Sequence, residues 1–149
     1  MAYSLYDATV CMAKNALTAL DGILTEAEKC PNSINFLHSR LIEDMNPLSF
    51  QVHYATLQCM LLSADLSGKE RYTEPEETLK TYKDMHERIE QAIKMLNEVN
   101  KETANSIGEE MKEIQFRDQP KTVPVKALTG FSSNAKYLLS CEHGLCYPT

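Results

Sequence analysis

The chain is short of basic residues: fifteen Lys and Arg stand against twenty-one Asp and Glu, a formal charge of −6 over 149 residues. No stretch gathers Lys or Arg on one face, so nucleic acid and anionic membrane are not expected partners. No window approaches the roughly 18 apolar residues of a membrane span. The opening MAYSLYDATV lacks the basic start and apolar run of a secretory signal, so the expected compartment is the cytoplasm. The five cysteines, at 11, 30, 59, 141 and 146, are odd in number and have no framework spacing. Reduced thiols, most of them small core residues, are expected. There is no nucleophile–base motif, Gly-rich phosphate loop or dinucleotide fingerprint. Repeats, low-complexity tracts and interdomain linkers are also missing, so residues 1–149 are expected to form a single domain. A chain of this length can bury about 68–70% of its unfolded surface without a covalent staple.

What is present is helical periodicity. Val10, Ala13, Leu17, Leu20, Leu24 and Ala27 recur at steps of three and four, predicting a first helix from about Leu5 to Lys29 that ends at Cys30-Pro31-Asn32. Gly22 inside it costs roughly 1 kcal/mol relative to Ala and marks either a close helix crossing or nothing. After a connection with one helical turn near Ile34 to His38, a second helix is predicted over Pro47 to Leu66. Its seam is Leu48, Val52, Ala55, Cys59, Leu62 and Leu66. Asn46 serves as its N-cap, Pro47 suits the first turn, and Ser67-Gly68 ends it. The second flank, Phe50, Tyr54, Leu57, Met60, Leu61 and Ala64, is apolar too, which places this helix in the middle of a bundle.

Thr73-Glu74-Pro75-Glu76 has the form of a capping box, so a third helix is expected to start near Glu74. It carries Leu79, Tyr82, His86, Ile89, Ile93 and Leu96 inward, with Asp84–Arg88 and Glu90–Lys94 as pairs on the solvent face. From Glu98 the helical period fails. Met111 to Phe116 and Thr122 to Val125 alternate as strands about Arg117-Asp118-Gln119-Pro120, predicting a small hairpin. A last apolar segment, Ser132 to Cys141, precedes the tail Glu142-His143-Gly144-Leu145-Cys146-Tyr147-Pro148-Thr149.

Three strings resemble a family of about this size: Ser4-Leu5-Tyr6-Asp7-Ala8; Arg40-Leu41-x-x-Asp44-Met45-x-Pro47-Leu48-x-x-Gln51-Val52; and Thr78-Leu79-x-x-Tyr82 with Arg88-Ile89. It is a domain-of-unknown-function family distantly grouped with the DinB/YfiT-like four-helix bundles, and the resemblance covers about residues 3–130. It implies an all-α fold: an antiparallel up-down bundle, often dimeric, with a hairpin between the third and fourth helices. Family members continue into a longer final helix than Tyr137-Leu138-Leu139 begins here. A shortened fourth helix would leave a groove along the first three for a second copy of the chain, a longer homologue or a ligand to cover.

The candidate residues follow from these placements. The DinB-like superfamily puts a first metal ligand near His53 and completes the site with two histidines on the last helix, a three-imidazole arrangement suited to Zn, Ni or Fe. No such pair occurs here. His53 is accordingly read first as a hydrogen-bonded bundle histidine, with His86 across the core and His143 in the tail as the alternative co-ligands. Cys141, Glu142, His143 and Cys146 supply half of a metal site at most. Arg40 and Asp44 form either the polar mouth of a pocket or a structural pair at the helix start. Phe50, Gln51, His53, Tyr54, Tyr82 and His86 would line that pocket, with His53, Asp44, Tyr54 and Tyr82 as the acid–base candidates. The expected function is small-molecule binding by a helical bundle, with catalysis left open. The alternatives are a metal-dependent thiol transferase or hydrolase, and a non-catalytic dimerisation partner of a longer homologue.

Overall fold

A computed structural model describes residues 4–71, 79–116 and 119–127 of the chain. Helix α1 spans Met12–Glu28 and follows a π-helical turn at Asp7–Cys11. Val10, Leu17 and Leu24, spaced seven apart, are buried as the sequence predicts. A Cβ at Gly22 would meet nothing within 4 Å, so that glycine serves no helix crossing among the described residues. The single turn α2, Ser33–Phe36, leads by way of Leu37 into α3, Leu48–Leu66.

Helix α3 is the enclosed element, with Gln51 its one exposed position. Its deepest face differs from the expected seam. Val52 and Leu66 are fully buried, but so are Ser49, Thr56 and Met60, while Ala55, Cys59 and Leu62 are half-buried. Ser49, Thr56 and Ser63 recur every seven residues. Two of the three hydroxyls are paired: Thr56 donates back to the carbonyls of Val52 and His53, and Ser63 donates across to the Met95 carbonyl at 2.8 Å. When nearly every position of a helix is covered, hydropathy alone cannot rank its faces, and small hydroxyls take the side where another backbone comes close.

Helix α4 is Tyr82–Asn97. Its start corrects the expected one near Glu74: Thr81 is extended (φ −133°, ψ 160°), which no continuous helix allows. Thr81 and Asp84 form a reciprocal capping box, and the Asp84 carboxylate accepts from the Lys80 and Thr81 amides. The Thr73 box lies outside the described residues. Arg88 is buried, not on a solvent face. Met85, Ile89, Ala92 and Leu96 are fully buried, and α4 packs on both α1 and α3.

The chain directions come from the contacts at the helix ends. The Tyr82 hydroxyl at the start of α4 donates to the Ser33 carbonyl, and Ser49 at the start of α3 donates its amide to Leu37. Ser63 and Met95 meet near the other ends of α3 and α4. These two helices are therefore parallel, and α1 runs against both. The connection from Ser67 to Thr81 must rejoin opposite ends of the bundle, roughly 24 Å apart for a helix the length of α4. Residues 79–81, where a continuous third helix was expected, are not helical.

A short helix not foreseen, α5 (Lys101–Ile107), follows, capped by the Asn100 side chain on the Glu102 and Thr103 amides. The expected hairpin is present: β1, Met111–Phe116, pairs antiparallel with β2, Gln119–Pro124, from Met111↔Pro124 to Phe116↔Gln119. The chain is helical again at 125–127. The expected segment Ser132–Cys141 and the tail lie outside the described residues. Among the described residues no helix is long and apolar enough to cross a membrane.

Candidate functional site

The most developed polar site lies where α3 ends. Ser67 closes the helix and Gly68 follows at φ +64°; the Lys69 amide returns to the Ala64 carbonyl and the Gly68 amide to Asp65. This is the helix ending that a left-handed glycine permits, and it turns the chain back on itself. The reversal brings Arg71 onto Asp65, one residue before the helix end. Arg71 Nε lies 3.0 Å from Asp65 Oδ1, and Nη2 lies 2.7 Å from Oδ2. From the hairpin, Lys112 Nζ reaches Oδ1 at 2.6 Å. Asp65 is 5% exposed, whereas the Arg71 and Lys112 side chains keep 45% and 34% of their surface.

The electrostatics follow from that difference. Burial raises the Asp65 carboxyl, but hydrogen bonds and charge from Arg71 and Lys112 outweigh it, so the group titrates below its ordinary value. A carboxylate so near a helix C-terminus faces the negative end of the helix dipole and needs its cations for that reason too. Asp65 in turn holds Arg71 more firmly protonated. Around the trio lies an open pocket of about 460 Å³, lined also by Lys69, Glu70, Glu110 and the apolar Ile107, Met111 and Val125. Nothing in the helical periodicity marked it. The available signal was Asp65 itself, an acid inside the apolar run Leu61 to Leu66 with basic Lys69 and Arg71 close behind.

The residues expected to form a pocket are dispersed. Arg40 is exposed and donates to the Glu43 carbonyl, and Asp44 is exposed as well. Gln51 faces solvent and donates to the Asn46 carbonyl. Phe50 and Tyr54 stack at 6.2 Å between centroids on the same helix as buried His53. The hydroxyls of Tyr54 and Ser49 are buried and make no hydrogen bond among the described residues. Burial pushes the Tyr54 phenol up, and it pushes Tyr82 up with help from Cys30 and Glu28. The Tyr82 hydroxyl donates to the Ser33 carbonyl at 2.9 Å.

His86 corrects the expectation that it faces His53. Its ring turns to α1, with Nδ1 2.5 Å from Asp21 and Nε2 3.9 Å from Glu28. Helix α4 lies between α1 and α3, so the two imidazoles occupy different interfaces. His143 falls outside the described residues. Among the described residues no three His, Cys, Asp or Glu side chains converge as metal ligands, so this part of the chain does not fit a three-imidazole centre.

Comparison with known proteins yields two findings. The family model described as "Domain of unknown function (DUF1993)" matches residues 5–134. A solved structure described as a DinB family member protein from Shewanella denitrificans superposes with a TM-score of 0.73 at 22% identity, covering 97% of this chain and 89% of that one. Likeness at that identity establishes a shared helical-bundle fold and no more. No curated protein matches the sequence.

Proposed function

The chain belongs to the DUF1993 family, and from that premise we propose that it is a helical-bundle protein that binds a small, partly apolar molecule in the pocket around Asp65, Arg71 and Lys112. The observation that carries this reading is the ion trio. A buried carboxylate holds two cations in fixed positions while both keep surface open to a cavity of about 460 Å³. Ligand sites fall in the range of about 300–1,000 Å³ and combine apolar walls with a few fixed polar groups. Ile107, Met111 and Val125 supply the wall here. No catalytic group is assigned, and binding is the whole of the proposal.

The test is thermal unfolding of the wild type and of Asp65→Asn against a panel of small organic acids, amines, zwitterions and neutral compounds. A compound that binds only the native state at about 100 times its Kd adds about 2.7 kcal/mol of stability. For a protein of this size that raises Tm by about 5–11 °C. The expected result is a shift of that order for at least one compound, reduced in Asp65→Asn. If no compound moves the melting curve, or the variant responds as the wild type does, the pocket reading is wrong.

A further inference from the structure

We infer that the ligand of this pocket is a small zwitterion with an apolar side chain, of the chemical class of the apolar α-amino acids; this rests on the binding role proposed for the pocket. Three observations converge. First, the cationic side has donors to spare: Asp65 takes the Nε and Nη2 edge of Arg71, leaving Nη1 uncommitted among the described residues. Lys112 spends one bond on Asp65 and retains further N–H groups. A carboxylate is the group that pairs with such a fork and ammonium.

Second, the pocket has an anionic side. Glu70 and Glu110 line it, are exposed, and make no ion pair among the described residues. Glu70 directly precedes Arg71 and Glu110 stands two residues before Lys112, so the lining carries unpaired carboxylates alongside the two cations. With Asp65 neutralised by its own partners, a pure anion would still face two uncompensated carboxylates. A molecule with both charges can pair with the cations and with the carboxylates of the lining. Third, Met111 is 62% exposed and stands between Glu110 and Lys112 in the wall, beside Ile107 and the buried Val125. That is surface for an aliphatic side chain.

Isothermal titration with three isosteric probes tests the assignment: L-leucine, 4-methylpentanoate, which lacks the ammonium group, and 3-methylbutylamine, which lacks the carboxylate. Leucine is expected to bind at least about tenfold more tightly than either analogue, since each lost charged hydrogen bond costs that much or more. Glu110→Gln, an exposed position outside the ion trio, is expected to weaken leucine about tenfold and to leave 4-methylpentanoate bound as tightly or more tightly, since one carboxylate facing the anion is gone. Equal binding of leucine and 4-methylpentanoate overturns the zwitterion and leaves the pocket standing. Binding of other panel compounds with none of these three overturns it as well, and loss of binding by every compound removes the pocket with it. An unchanged leucine affinity in Glu110→Gln, with melting curves showing that the variant folds, also sinks the assignment.

Discussion

Replacing Asp65 by Asn removes one charge and almost no volume, so its effect isolates the ion trio at the end of α3. Breaking a fully buried ion pair from one side costs about 3–5 kcal/mol, because the remaining charge is stranded away from water. Here the stranded partners are Arg71 and Lys112, 45% and 34% exposed, and both can swing into solvent. The cost is therefore nearer the worth of the lost charged hydrogen bonds, about 2 kcal/mol. For a chain of 149 residues this lowers Tm by about 4–8 °C at pH 7. The pH dependence carries the sharper information. The Asp65 carboxyl titrates below its unfolded value of 3.8 in the folded state. A depressed carboxyl contributes stability that is complete above the unfolded value and is lost as pH falls through the lower folded value. The gap between wild type and Asp65→Asn should therefore be constant from pH 7 down to about pH 4 and close below that. Circular-dichroism melts of both proteins between pH 7 and pH 2.5 measure it. A gap of the same size at both ends, or no gap at pH 7, would refute the argument.

Three other substitutions probe the frame around the site. Ser63→Ala removes the one side-chain bond from α3 to the Met95 carbonyl and should cost about 1 kcal/mol in urea denaturation, with an unchanged m value. Thr81→Ala takes away the N-cap acceptor of α4. About 1 kcal/mol of stability should go with it, and amide exchange should quicken first at Asp84. Gly68→Ala forces a side chain into φ +64° with its Cβ 3.2 Å from Ile107 Cδ1. The expected loss is about 1 kcal/mol or more, together with weaker ligand binding, because the same turn aims Arg71; full retention of binding would separate the turn from the site.

Much of the frame was legible from residues. The heptad spacing of Val10, Leu17 and Leu24, the Ser67-Gly68 stop and the alternation on either side of Arg117-Asp118 led to α1, the end of α3 and the hairpin. Two local signals pointed elsewhere for physical reasons. The Thr73 sequence pointed to a start near Glu74, whereas α4 is capped at Thr81 with Asp84, not Glu or Gln, as the reciprocal partner. His86 sits in the apolar period of α4, yet periodicity cannot say which neighbour a helix turns toward, and the carboxylates of Asp21 and Glu28 claim it. The site escaped because its parts come from three elements, a helix end, the loop behind it and a strand. Only the folded chain adds them together.

The π-helical turn at Asp7–Cys11 holds one residue more per turn than the α-helix that follows. That surplus fixes the rotational phase of everything before it. Tyr6 hands its amide to the Asn105 side chain and offers its ring to Lys14 and Lys101, while Leu5 packs where Gly108 leaves space for it. Tightening this turn to ordinary α-helix with every residue kept would swing Leu5 and Tyr6 about 100° around the axis, whereas deleting one residue would remove the surplus and leave their phase in place. A one-residue insertion between Asp7 and Cys11 should therefore leave the bundle standing and detach its N-terminus from α5, whereas a one-residue deletion should keep both.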